Sequence, residues 1–211
     1  MDRDFWLSRW NANRIGFHQG EANARLVSHF HALAVPPGGR IFVPLCGKTR
    51  DIAWFLSTGH AVVGVEFSEL AIQQLFRELG VKPVVTVEGP TRRYSAPAVD
   101  VLVGDFFDLT QDMIGSVDAT YDRAALVALP SDMRTRYAAH VTRITRRAPQ
   151  LVICFEYDQS LADGPPFSID GRELFRLYGG RYRLSLLETG PLLGDFKGGQ
   201  LAASEAAWSL L

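Results

Sequence analysis

Apolar residues in this chain alternate between two spacings. Ile41-Phe42-Val43-Pro44-Leu45, Ala61-Val62-Val63-Gly64-Val65 and Leu151-Val152-Ile153-Cys154-Phe155 are short continuous apolar runs. Val99-Asp100-Val101-Leu102-Val103 and the weaker Ala119-Thr120-Tyr121 resemble them. Such runs predict strands covered on both faces. Between them the spacing opens to three and four residues. Ile52, Phe55 and Leu56 mark a helix stopped by Gly59. Ile72, Leu75, Phe76 and Leu79 mark another, capped by Ser68 and ended by Gly80. Met133, Tyr137, Val141 and Ile144 mark a third, and residues 171–178 a fourth, with Asp170 and Glu173 in capping-box spacing. Strands alternating with helices predict an α/β domain with a mainly parallel sheet. Segments 181–189 and 201–210 are expected to close it as strands.

Before residue 40 the pattern is helical. Trp6 and Trp10 share one helix face, and Leu26, Phe30 and Leu33 repeat that spacing in a second helix. The glycine-bracketed stretch from Arg14 to Gly20 is a loop between them, and Pro36-Pro37-Gly38-Gly39 is a turn into the first strand. The expected organisation is one domain, with a helical lid over 1–35 and an α/β core over 40–211.

Composition narrows the function. Lys+Arg total 22 against 23 for Asp+Glu, a net charge of −1. That balance speaks against a dedicated nucleic-acid binder or a polybasic membrane anchor. No apolar run nears the roughly 18–20 residues of a membrane span, and acids at Asp2 and Asp4 argue against a secretory signal. A cytoplasmic protein is expected, and a monomer by default. Cys46 and Cys154 lie far apart and suit buried positions in a reducing compartment. His29 and His31 point to different helix faces, so no metal site is expected. His60 and His140 are expected at the surface, and His18 in a structural hydrogen bond.

In a parallel sheet, ligands bind beyond the carboxyl ends of the strands. Gly47-Lys48-Thr49 follows the first strand, but a phosphate-binding loop needs glycine where Phe42 stands. The three-glycine dinucleotide turn is also absent. Gly47 instead permits close backbone approach to an uncharged or zwitterionic ligand. Glu66 ends the second strand and can take both hydroxyls of a ribose. Asp105 and Phe106 follow the third strand and suit an adenine amine and ring. Asp122-Arg123 follow the fourth, one expected to meet ligand and the other to pair with it. Adenine and ribose without phosphate point to S-adenosylmethionine.

Several motifs together resemble one family. They are Trp6-x-x-x-Trp10, Gly16-Phe17-His18-Gln19, Val43-Pro44-Leu45-Cys46-Gly47-Lys48 and Gly64-Val65-Glu66-x-Ser68-Glu69-Leu70, with Phe107-Asp108-Leu109, the run Tyr121 to Leu129 and Gly164-Pro165-Pro166-Phe167. In register from about residue 5 to 178, they resemble thiopurine S-methyltransferases, the bacterial branch most closely. The resemblance implies a class I, Rossmann-like methyltransferase using S-adenosylmethionine. It implies that Trp10, Leu45, Gly47, Glu66 and Arg123 hold the cofactor, with Trp6, Asp105 and Phe106 beside it. It also implies that Phe17 faces the substrate and that Pro166 and Phe167 shape the acceptor pocket. Arg123 would orient ligand, with no general base assigned. One departure is visible. Where the family often has an arginine in the late loop, Lys197 is the only base here.

The expected acceptor is a soft nucleophile, such as an aromatic or heterocyclic thiol. Selenium and tellurium compounds, with which the family's bacterial members are associated, are an alternative. A nicotinamide oxidoreductase is disfavoured by the single-glycine turn, and a non-catalytic cofactor-binding module by the lid tryptophans.

Overall fold

The computed structural model describes residues 3–192, 196 and 201–211. Chain order begins with α1 (Arg3–Asn11) and α2 (Ala24–His29), then β1 (Arg40–Val43), α3 (Arg50–Ser57), β2 (Ala61–Glu66) and α4 (Glu69–Glu78). A hairpin of β3 (Val84–Glu88) and β4 (Thr91–Ala96) follows, then β5 (Val99–Val103) and α5 (Gln111–Ile114). The remainder is β6 (Ala119–Arg123), α6 (Ser131–Ile144), β7 (Gln150–Glu156), α7 (Gly171–Tyr178), β8 (Leu184–Pro191) and β9 (Ser204–Leu210).

The strands form one nine-stranded sheet in the order β3-β4-β5-β2-β1-β6-β7-β9-β8. The central β5-β2-β1-β6-β7 are parallel, and antiparallel pairs extend both edges. Alternation along β1 feeds two cores. Ile41 and Val43 pack with α2, α3 and α4 residues such as Leu26, Phe55 and Leu75. Phe42 packs with Tyr137 of α6 and Tyr178 of α7 on the other face. Both faces are thus covered, which explains the continuous apolar runs. Strand order reverses between β1 and β6, so their carboxyl ends open a crevice.

Caps follow the sequence. Ser68 accepts from Ala71 N and Asn23 from Arg25 and Leu26 N, while Gly59 and Gly80 adopt positive φ after α3 and α4. Asp170 accepts from Glu173 N, but the Glu173 carboxylate turns to Arg176 and Arg134 instead of back to the cap. Three expectations need correction. The hairpin β3–β4 has no counterpart in the sequence reading. The second helix tightens at Phe30 into a 3₁₀ turn through Leu33, and both residues join the core. His140 is buried against the rings of Phe106 and Phe107, whereas His60 stays partly exposed, as expected, with its ring edge-on to Phe30. Cys46 and Cys154 are free and buried.

Candidate active site

The crevice between β1 and β6 holds a cavity of about 730 Å³. Its floor is the turn after β1. Leu45 at φ 47° and Gly47 at φ 50° fold this turn back, and Cys46 N donates to Val65 O at 2.9 Å. Glu66 ties the turn to β2. Its Oε2 accepts from Gly47 N at 3.0 Å and its Oε1 from Ser68 N at 2.9 Å. Burial pushes its carboxyl above the ordinary range, and the Ser68, Gly47 and Phe67 N–H groups pull it back. Three N–H donors leave the carboxylate one acceptor site for a further donor. Burial, reinforced by Glu66, raises the Cys46 thiol well above its usual value, so Cys46 stays protonated and is no nucleophile.

The N-terminal segment roofs this floor. Trp10 is buried, and its indole lies against Gly47, where a Cβ would stand 2.9 Å from it. Trp6 and Trp10 both meet Phe17 edge-on, with centroids 5.6 and 5.5 Å away. Arg123, at the end of β6, reaches Phe17 O from Nη2 at 3.4 Å. Its Nε is buried with no hydrogen-bond partner among the described residues. His18 also lines the cavity. Burial, then Lys48, lower its pKa against the pull of Glu78, with Arg50 and Arg123 adding to the lowering, so it is neutral near pH 7. Lys48 itself is held by Glu78 at 2.8 Å.

A buried polar cluster anchors the roof. Asp51 accepts from Asn23 N, the Thr49 hydroxyl and the Tyr121 hydroxyl. The Asn23 amide donates to Gln19 and to Glu205 of β9, and Glu205 also takes Arg25.

The rest of the wall is mostly apolar. Val127, Ala128, Phe155, Leu192, Phe196 and the segment Gly164-Pro165-Pro166 line it, joined by the acid Asp163. Tyr157 fixes this segment by donating to Pro166 O at 2.6 Å.

Of the residues singled out in the sequence, Trp6, Trp10, Phe17, Leu45, Gly47, Glu66, Arg123 and Pro166 line one cavity. Asp105 and Phe106 line a second, of about 60 Å³, which shares Leu45 and Phe67 with the first. Phe106 is buried beside Phe42 and Tyr137, and exposed Asp105 caps the turn after it through Phe107 N. Phe167 stands behind the wall, its ring under the Arg134 guanidinium and against Gly164. Asp122 does not pair with Arg123. It turns inward and accepts from the Tyr137 hydroxyl at 2.7 Å and Leu126 N at 3.1 Å. The expected late-loop base, Lys197, lies outside the described residues. Sequence reasoning missed Arg9, Phe67, Val127 and Phe155 on the cavity wall. Phe155 was findable, since it closes a strand already recognised.

Comparison with known proteins follows this geometry. The family model described as thiopurine S-methyltransferase matches residues 1–210. The thiopurine S-methyltransferase of Xanthobacter autotrophicus is 55% identical over 211 residues, covering 100% of this chain and 99% of that one. That of Teredinibacter turnerae is 45% identical, covering 100% and 97%. Among solved structures, a 1,6-didemethyltoxoflavin-N1-methyltransferase from Burkholderia thailandensis, with its substrate and S-adenosylhomocysteine bound, superposes with a TM-score of 0.64 at 20% identity, covering 99% of this chain and 86% of that one. The magnesium protoporphyrin IX methyltransferase of Synechocystis superposes at 0.63 with 14% identity, covering 99% of each. These likenesses show the class I methyltransferase fold.

Proposed function

Because the chain belongs to the thiopurine S-methyltransferase family and is an S-adenosylmethionine-dependent S-methyltransferase, we propose that its acceptor is an aromatic or heterocyclic thiol, taken as the thiolate. The carrying observation is the two-part cavity, with a carboxylate and a folded-back glycine turn at one end and a wall of rings and prolines at the other. The residues present suit the cofactor. Glu66 keeps an acceptor site for a ribose hydroxyl, and the Trp10 indole covers Gly47 at the same turn. Leu45 and Phe67 adjoin the smaller pocket of Asp105 and Phe106, which suits an adenine. When bound, the cofactor supplies a methyl group on a positively charged sulfur.

The chain's own groups bind and align. Phe17 is held between Trp6, Trp10 and Arg123, so the acceptor meets a fixed ring. His18 is neutral and Glu66 is occupied by backbone donors, which leaves neither free as a strong base. A thiol on an electron-poor ring needs none, because it ionises in water before binding. Alignment of two bound reactants supplies roughly 7–11 kcal/mol. In this reading α1 and residues 12–20 act as the lid of a single domain, which works as a cytoplasmic monomer without a resident metal. No described helix is long and apolar enough to cross a membrane.

The test is transfer of a labelled methyl group from S-adenosylmethionine to 6-mercaptopurine and to thiophenol. Label on either thiol supports the reading. Tight binding of S-adenosylhomocysteine with no label on any thiol overturns it, and selenium and tellurium oxyanions become the acceptors to try.

A further inference from the structure

Two cations of the cavity wall, Arg9 and Arg123, meet no carboxylate among the described residues. Arg9 sits on α1, and its guanidinium carbon lies 4.7 Å from the centroid of the Phe5 ring. Among the described residues no carboxylate comes within ion-pairing distance of it. The other basic groups of the wall are held in place, although Arg123 Nε has no partner among the described residues. Lys48 is bound to Glu78, and Arg123 reaches the Phe17 carbonyl. The Phe5 ring supports the Arg9 guanidinium, and no side-chain hydrogen bond takes its N–H groups among the described residues. That geometry matches a carboxylate, which can take two parallel N–H bonds.

Its position on the helix says which carboxylate. Trp10 occupies the glycine turn, and Arg9 points about 100° around the helix from it. Arg9 stands one turn after Trp6, which packs edge-on against Phe17. It therefore lies one turn from a ring that packs on Phe17 and to one side of the residue that covers Gly47. We propose that Arg9 recognises an anionic ring substituent on the acceptor, so that the enzyme prefers aromatic thiols carrying a carboxylate. This rests on the thiol-acceptor reading above.

The test compares 4-mercaptobenzoate with thiophenol in the wild type, Arg9→Gln and Arg9→Lys. Arg9→Gln is expected to lower kcat/KM for the carboxylate at least tenfold more than for thiophenol, chiefly through KM. Arg9→Lys restores part of the preference, since it keeps the charge and loses the fork. Equal losses for both thiols overturn the proposal and leave Arg9 a support for the lid. An unchanged preference with weaker S-adenosylhomocysteine binding also overturns it, by assigning Arg9 to the cofactor's own carboxylate. Calorimetry of 4-(methylthio)benzoate on the S-adenosylhomocysteine-loaded protein decides the matter without turnover. A tenfold weaker affinity in Arg9→Gln supports the proposal, and an equal affinity overturns it. Failure of the wild type to methylate either thiol counts against the acceptor reading, while this binding measurement still judges Arg9.

Discussion

At the scale of single residues, the floor of the cavity depends on what is missing from Gly47. Its φ of 50° strains any side chain, and the Trp10 indole fills the space a Cβ would need. Gly47→Ala is expected to push Trp10 out and weaken S-adenosylhomocysteine binding at least tenfold, read by calorimetry. Its fold stability should fall by about 1–2 kcal/mol. Asp122 gives a pH signature. Burial raises its carboxyl from 3.8 to about 6, against the opposing Tyr137 and backbone hydrogen bonds. Between those values the folded chain keeps a proton that the unfolded chain has lost. Stability from this group therefore falls as pH rises from about 4 to about 6, by roughly 3 kcal/mol. Asn has no charge to bury. Urea unfolding at pH 4 and pH 7 should show Asp122→Asn gaining roughly 3 kcal/mol on the wild type between the two. Glu66 and Gly47 were legible because a strand-end acid and a lone glycine turn have few other uses. The inward role of Asp122 was not, because its partner Tyr137 sits on another element.

At the scale of elements, the parallel strands and their helices were readable because both sheet faces are buried and apolar spacing records burial. The β3–β4 hairpin escaped for the converse reason. All of β3 is exposed, and β4 buries only Thr91 and Tyr94 while its arginines pair at the surface, Arg93 with Glu88 and Arg92 with Glu69. No buried run announces it, although Gly89-Pro90 after the β-branched stretch Val84-Val85-Thr86-Val87 marks the turn. The roof's attachment was equally hidden. Asn23 caps α2 while its own N–H and amide reach Asp51, Gln19 and Glu205. Asn23→Ala loses the cap and the side-chain donors and should cost about 1–2 kcal/mol in urea unfolding. The same variant should raise the acceptor KM, because Gln19 and the Phe17 loop lose their tether.

At the scale of the whole molecule, the two ends of the cavity differ in how local they are. The end proposed for the cofactor is built from turns that immediately follow β1 and β2, which short motifs capture. The end proposed for the acceptor gathers Phe17, Val127, Phe155, Pro166 and Leu192 from across the chain. No spacing rule links them, so only the resemblance to a known family placed Phe17 and Pro166 there. The same sheet order that builds this wall also sets a timetable. β9 lies between β7 and β8 although it follows both in sequence. During synthesis β8 finds no neighbour until residues 204–210 have left the ribosome, and Leu192 beyond it has no wall to join. Such late, long-range pairing is slow and leaves a strand edge open meanwhile. Catalytic competence then arrives in one step with β9, so a shortened translation product lacking it is an exposed sheet and not a slower enzyme.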